Sequence, residues 1–272
     1  MTGIDAFVTT HDALALIALL GVVGVVAGFV DAIAGGGGLL TVPALLLAGL
    51  DPVSALATNK LQSTFGSGSA VHAFARLGMI SFRTSWEMVG VTFLGSCLGV
   101  AAIRIAPLSL LSVILPVLLI VMAVYFALSP KLSDADARAR IGPRAFAGSV
   151  ALAIGFYDGI FGPGTGSFFM LGFVLLLGYG VVRATAHTKL LNFTSNVAAL
   201  VLFGLSGKIV WPLGLAMGAG QVLGAQVGSR LAIRHGARLV RPLLVVVCCA
   251  MALRLLLDPA NPLRTAVLAL VP

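Results

Sequence analysis

Charge is scarce in this chain. Only 10% of its 272 residues are Asp, Glu, Lys or Arg, against about 25% in a soluble domain. With 59% of residues hydrophobic and a mean hydropathy of +1.10, that shortfall excludes an ordinary water-soluble globule and makes lipid the solvent for most of the chain. Acidic residues are rarer still, nine against 17 basic ones. The resulting net charge of +8 is not a nucleic-acid footprint, because the basic residues lie between apolar runs without aromatic interleaving or a binding motif. Cysteine is limited to Cys97, Cys248 and Cys249, all within apolar segments; they form neither a disulfide framework nor a zinc pattern and read as packing residues. No basic run precedes the first apolar stretch, so a cleaved signal peptide is not expected and Leu14 to Ala34 should stay as a span. The glycine runs at 35–38 and 162–166 lack the Gly-Lys-Ser/Thr ending of a P-loop, which excludes ATP-driven work by this chain alone. Neither His-Glu-x-x-His nor Gly-x-Ser-x-Gly occurs, so an intramembrane enzyme would lack its nucleophile or metal. No cofactor and no metal ion is expected.

What the chain does have is a succession of apolar segments. A span takes roughly 20 apolar residues, and ten segments are legible at 14–34, 39–50, 54–75, 86–105, 108–128, 145–161, 167–182, 184–205, 209–229 and 239–257. The expected fold is an all-α, polytopic transmembrane helix bundle. The second and seventh segments are short and follow glycine clusters, so they are expected to be half-helices or re-entrant.

The two halves repeat. Shifting the chain by 129 residues superposes Val53, Ala55, Ala57, Lys60, Leu61, Ala70, Phe74, Gly78, Ile80, Met88, Gly95 and Gly99 on identical residues, where about four matches would arise by chance. Upstream the shift is 127 and matches Gly28, Phe29, Asp31, Ile33, Gly35 and Gly37. Five segments per half predict an inverted second half, with repeats at 1–128 and 145–272 joined by a polar cytoplasmic linker at 129–144. Charge gives the orientation. With the amino terminus periplasmic, the inside loops receive eleven basic residues, from Arg76 and Arg83 to Arg238 and Arg241. The outside receives Arg104, Lys208 and Arg264, with Arg254 near that face, as the positive-inside rule demands.

Of the nine acidic residues only Asp31 and Asp158 fall deep within apolar segments, and of the four lysines only Lys60 and Lys189. A charge at mid-membrane costs about 3 kcal/mol on insertion scales and must be compensated. Two readings stay open: an internal Asp–Lys pair in each repeat that glues helices together, or lysines that face a cavity and attract an anion while Asp31 and Asp158 titrate or hold them. Helices starting just after Gly35–Gly38 and Gly162–Gly166 would aim N–H groups and a positive dipole end at the break. Gly36, Gly37 and Gly164 would let a ligand approach the backbone, and Thr41, Thr165 and Ser167 would add hydroxyl donors. Lys60, Thr64 and Ser67 share one helix face, and Lys189, Asn192 and Asn196 share its counterpart; such donors suit a polyoxygen anion and serve equally as interhelical glue. His187, a residue type that titrates near neutral pH, is a candidate proton carrier or a structural residue. The rows Gly220, Gly224, Gly228 and Gly95, Gly99 read as helix packing.

The stretch Ala-Gly-Phe-Val-Asp-Ala-Ile-Ala-Gly-Gly-Gly-Gly-Leu-Leu-Thr-Val-Pro at 27–43, followed by Ala-Thr-Asn-Lys-Leu-Gln at 57–62, resembles the sulfite exporter TauE/SafE family. So does Gly-Phe-Tyr-Asp-Gly-Ile-Phe-Gly-Pro-Gly-Thr-Gly-Ser-Phe at 155–168 with Ala-His-Thr-Lys-Leu-Leu-Asn-Phe-Thr-Ser-Asn at 186–196. The likeness covers about 15 to 257. It implies a bacterial inner-membrane permease for sulfite, sulfonates or related small organic anions, with Lys60, Lys189 and both glycine breaks as anion-contacting positions. The expectation is a secondary transporter that works by alternating access, with a small anion, the bilayer and, in a homo-oligomer, further copies of itself as candidate partners. A passive anion channel, or a sensory or structural membrane subunit, is the alternative. A negative cell interior favours anion export by about 2.3 kcal/mol per charge per 100 mV, and uptake would need a driving ion.

Overall fold

The computed structural model describes residues 11–103 and 133–257, together with the isolated helical positions 120, 124, 127 and 128. Among the described residues every regular element is helical. The expected span at 108–128 lies outside the continuously described residues. In chain order the helices are α1 (His11–Ala34), α2 (Gly38–Leu47), α3 (Pro52–Arg76) and α4 (Phe82–Ala102). Then α5 runs as Pro143–Phe146, a π-helical turn Ala147–Ala151 and Leu152–Ile160. It is followed by α6 (Thr165–Leu175), α7 (Val181–Leu205), α8 (Trp211–His235) and α9 (Ala237–Leu257).

The helix bounds carry the repeat. Adding 129 to the first residues of α3 and α4 gives the first residues of α7 and α8, and α3 and α7 are both 25 residues long. Asp51 caps α3 by accepting from Val53 N (3.1 Å) and Ser54 N (3.2 Å), with Pro52 in the first turn where its missing N–H costs nothing. Among the described residues three helices are long and apolar enough to cross a membrane, over Leu14–Ala34, Ser85–Ala102 and Val181–Leu205. α2 and α6, at 10 and 11 residues, reach about 15–16 Å, half of a hydrocarbon core about 30 Å thick.

Packing is reciprocal between the repeats. α1 lies along α8, and its counterpart α5 lies along α4. In the first contact Gly220, Gly224 and Gly228 bring the α8 backbone against Gly21, Val25 and Phe29 of α1. In the second, Gly95 and Gly99 bring α4 against Leu152 and Phe156 of α5. A methyl group on any of these glycines would meet main-chain atoms, so the small-residue rows are what let the backbones touch. α3 and α7 cross between the two pairs, and the largest apolar cluster, with Phe74, Phe146, Phe169 and Phe173, fills one side of the bundle. The cysteines differ from expectation: Cys97 is half-buried, while Cys249 is exposed on the bundle surface and packs no core.

The inter-repeat segment is docked onto the second repeat. Ala137 N donates to Gly178 O (2.7 Å), Arg140 N to Leu176 O (2.8 Å) and Val181 N to Ser133 O (3.1 Å). Asp136 accepts from Gly180 N (2.8 Å) and pairs with Arg183, and Asp134 accepts from Ala237 N (3.2 Å).

Candidate functional site

Asp31 sits in the last turn of α1 and Asp158 in the last turn of α5. A carboxylate there faces the negative end of a helix dipole, in apolar surroundings, and is doubly unfavourable. The compensating cation comes from the other repeat in both cases. Lys60 of α3 donates to Asp158 O (2.5 Å) and lies 2.9 Å from Asp158 Oδ1. Lys189 of α7 donates to Asp31 O and lies 3.0 Å from Asp31 Oδ2. Each ammonium thus caps a helix C-terminus and neutralises its carboxylate. The expectation of an Asp–Lys pair internal to each repeat is corrected: the pairs are exchanged, because the two breaks bring each α3-type helix against the opposite repeat's helix end. Exposure is 1% for Lys60 and Lys189, 2% for Asp158 and 13% for Asp31.

The breaks themselves touch. Gly35 (φ 75°) approaches the backbone of Gly166 so closely that a Cβ on Gly35 would lie 2.7 Å from Ser167 N. A Cβ on Gly162 (φ 94°) would lie 2.9 Å from Lys60 Nζ. Both positions therefore need glycine for backbone conformation and for space. Ser167 Oγ donates to Ala34 O (2.8 Å), tying the start of α6 to the end of α1, and Tyr157 Oη donates to Pro163 O (2.5 Å). Thr165 Oγ1 is 2.7 Å from Asp158 Oδ1, and Gly37 N donates to Asp31 Oδ1 over 3.3 Å.

Between the breaks lies a narrow polar cavity of about 10 Å³, on the order of the space one water molecule takes. Its side-chain walls are Asp31, Asp158, Asn59, Ser63, Asn192 and Asn196, closed by Thr165 and the break glycines Gly35, Gly38, Gly162, Gly164 and Gly166. Asn59 is held by Thr41 Oγ1 and Gln62 Nε2, both 2.6 Å from its Oδ1, which leaves its NH2 group as the donor it offers. Asn196 Nδ2 donates to Asn192 O (2.8 Å). Two ammonium groups and two carboxylates sum to zero charge.

A family model described as sulfite exporter TauE/SafE matches residues 20–255. The chain belongs to this family. It is 53% identical over 249 residues to a probable membrane transporter protein, ORF9, of a Sinorhizobium species, covering 92% of this chain and 95% of that one. It is 46% identical over 243 residues to the probable membrane transporter protein YfcA of Escherichia coli K12, covering 89% and 90%. A probable membrane transporter protein of Haemophilus influenzae is 44% identical over 243 residues, covering 89% and 95%. No solved structure matches. With its apolar helices and these relatives, the chain is a membrane protein and a TauE/SafE-family transporter.

In this TauE/SafE-family protein the structure gathers Asp31, Asp158, Gly164, Thr165, Asn192 and Asn196 at one cavity. Lys60 and Lys189 stand behind the carboxylates and do not line it. Gly36 and Gly37 face elsewhere, toward Val247 of α9 and the Asp31 side chain. Thr64 donates to Lys60 O (2.8 Å) and opens onto a separate, largely apolar groove with Phe65, His72, Phe193 and Gln226. His187 is apart from the cavity, its ring against Phe173 and Tyr179 and its Nδ1 3.0 Å from Arg183 O. Ser63 and Gly38, legible in the sequence only as part of the polar stripe beside Lys60 and as the end of the Gly35–Gly38 run, also line the cavity; Ser63 is the 129-shift mate of Asn192, and Gly38 the 127-shift mate of Thr165.

Proposed function

We propose that the chain moves a small oxygen-rich anion, sulfite, a sulfonate or a related organic anion, across the bacterial inner membrane by alternating access between two inverted repeats. The repeats are residues 1–128 and 145–272, the amino terminus is periplasmic, and the 129–144 linker is cytoplasmic. The observation that carries the reading is the reciprocal exchange of Lys–Asp pairs at two touching helix breaks around one polar cavity. Helix breaks free backbone groups that are costly in lipid unless protein, a ligand or a wet cavity satisfies them, and two breaks meeting at one polar cavity support a binding site over rigid glue.

The closed arrangement has no room for an anion, so binding begins when the repeats part. Each lysine then trades its aspartate for an oxygen of the substrate, with Asn59, Asn192, Asn196 and Thr165 donating to the remaining oxygens. The N-terminal ends of α2 and α6 add positive dipole ends near the same point. Asp31 and Asp158 act as stand-ins that hold each lysine and neutralise it while no anion is bound. The ring packing of His187 favours a structural role for that residue. Direction follows from the membrane potential, which drives a free anion outward.

The test is flux into proteoliposomes from a panel of sulfite, sulfonates and small carboxylates, repeated with Lys60→Ala and Lys189→Ala after each variant is checked for folding. Saturable flux of one anion class, lost in both folded variants, is the expected result. Binding that survives unchanged in both removes the lysines from the site.

A further inference from the structure

The central cavity holds an unmet demand. Asp158 Oδ1 is engaged by Lys60 Nζ (2.9 Å) and by Thr165 Oγ1 (2.7 Å), but Asp158 Oδ2 is buried with no hydrogen-bond partner among the described residues. A buried acceptor left in that condition costs about 1–3 kcal/mol, and more when charged. Asp158 forms one wall of the cavity, and Asp31, from the other repeat, forms another. Asp31 uses its Oδ1 only for a long 3.3 Å bond from Gly37 N. Ser63, Asn192 and Asn196 bring further oxygens to the same space.

From this geometry we propose that the cavity is a binding site for one dehydrated, sodium-sized monovalent cation, ligated by Asp158 Oδ2 with Asp31 and the neighbouring hydroxyl and amide oxygens. Volume selects the size: about 10 Å³ admits a bare small ion and not a hydrated one. Charge selects the valence. Both carboxylates are already paired with lysines, and among the described residues no group of three His, Cys, Asp or Glu side chains is available to a divalent or transition metal. A proton on Asp158 would forfeit its ion pair with Lys60.

The site has a consequence for the anion, and this consequence rests on the transport reading above. Without a cation the four buried charges sum to zero; with one they sum to +1, so cation and anion bind cooperatively and each raises the other's affinity by the same factor.

The test uses the full chain, purified into lipid nanodiscs in choline chloride with no substrate anion. Equilibrium binding of radioactive sodium should saturate at one ion per chain, compete poorly with K+ and raise the unfolding midpoint in NaCl but not in KCl or choline chloride. Ser63→Ala should weaken sodium binding by about 10-fold. The double variant Lys60→Met/Asp158→Asn, which removes the ion pair without stranding a charge, should abolish it. Sodium binding that fails to saturate, or that is the same in Ser63→Ala as in the unaltered chain, overturns the site, as a cavity filled by water would. Saturable anion flux that is equal in sodium and choline media then leaves the transporter standing without it. Intact sodium binding with no saturable anion flux would instead sink the anion reading and keep the cation site.

Discussion

Replacing Lys60 by Met tests whether the charge pairs are exchanged between repeats. The change keeps side-chain volume but strands Asp158, whose 2% exposure leaves it no water, and removes both the 2.9 Å ion pair and the 2.5 Å bond to the Asp158 carbonyl. Breaking a buried pair from one side costs about 3–5 kcal/mol, equivalent to a fall of about 6–15 °C in unfolding midpoint for a chain of this size. Asp158→Asn keeps a carbonyl oxygen for Lys60 and should cost less, about 1–3 kcal/mol. The double variant leaves neither charge and should lie close to Asp158→Asn alone, giving a coupling energy of about 3–5 kcal/mol. Lys60 makes no contact with Asp31, so the cycle with Asp31→Asn should show a clearly smaller coupling. Unfolding followed by intrinsic fluorescence in detergent reads all of these. A Lys60–Asp31 coupling as large as the Lys60–Asp158 one, or additivity throughout, would refute the exchanged arrangement.

Two further measurements bear on packing and on the linker. Gly224→Ala places a methyl 2.7 Å from Phe29 N between two helix backbones and should destabilise by about 1–3 kcal/mol. Gly90→Ala on α4, where nothing lies within 4 Å, should stabilise by about 0.5–1 kcal/mol; equal effects in thermal unfolding would contradict the close contact of α1 and α8. The Asp136 carboxyl is held below its ordinary value of 3.8, first by the Gly180 N–H and then by Arg183. A depressed carboxylate contributes stability that is complete above the unfolded value and is lost as pH falls through the folded one. Protection of the docked linker's amides, taken relative to their intrinsic exchange, should therefore hold steady above about pH 5 and fall only below about pH 4, and Asp136→Asn should flatten that fall.

Much of this molecule was legible because lipid makes polar residues conspicuous. The short second and seventh segments after glycine runs emerge as α2 and α6, and the 129-residue repeat reappears in the starts of α3, α4, α7 and α8. The buried Asp and Lys residues were found because few charges lie at that depth. Their partners were not legible, since helical spacing places Lys60 and Asp31 on faces of their own helices but says nothing of which repeat each face meets. That choice belongs to tertiary packing, set here by the glycine rows that seat α1 on α8 and α5 on α4. Gly36, Gly37 and Thr64 lie off the cavity for the same reason: a glycine run has four candidate approach points, and only the turn geometry decides that Gly35 and Gly38 face inward. His187 was a chemical possibility from its type alone, and its ring neighbours Phe173, on α6, and Tyr179, in the loop before α7, are set by how that loop folds back.

On the alternating-access reading proposed above, the exchanged pairs also bear on how the empty protein would avoid opening. An Asp–Lys pair within one repeat would survive separation of the repeats unchanged and would have no influence on it. Pairs that bridge the repeats are broken by separation, which exposes two ammonium groups and two carboxylates at once. With each uncompensated charge costing about 3 kcal/mol in the depth of a membrane, the empty protein would stay closed on that reading. An anion that takes the place of the aspartates as partner of the lysines would then make the separated state accessible. Placing each lysine opposite the other repeat's aspartate would thus make charge compensation itself the gate, without a separate lid.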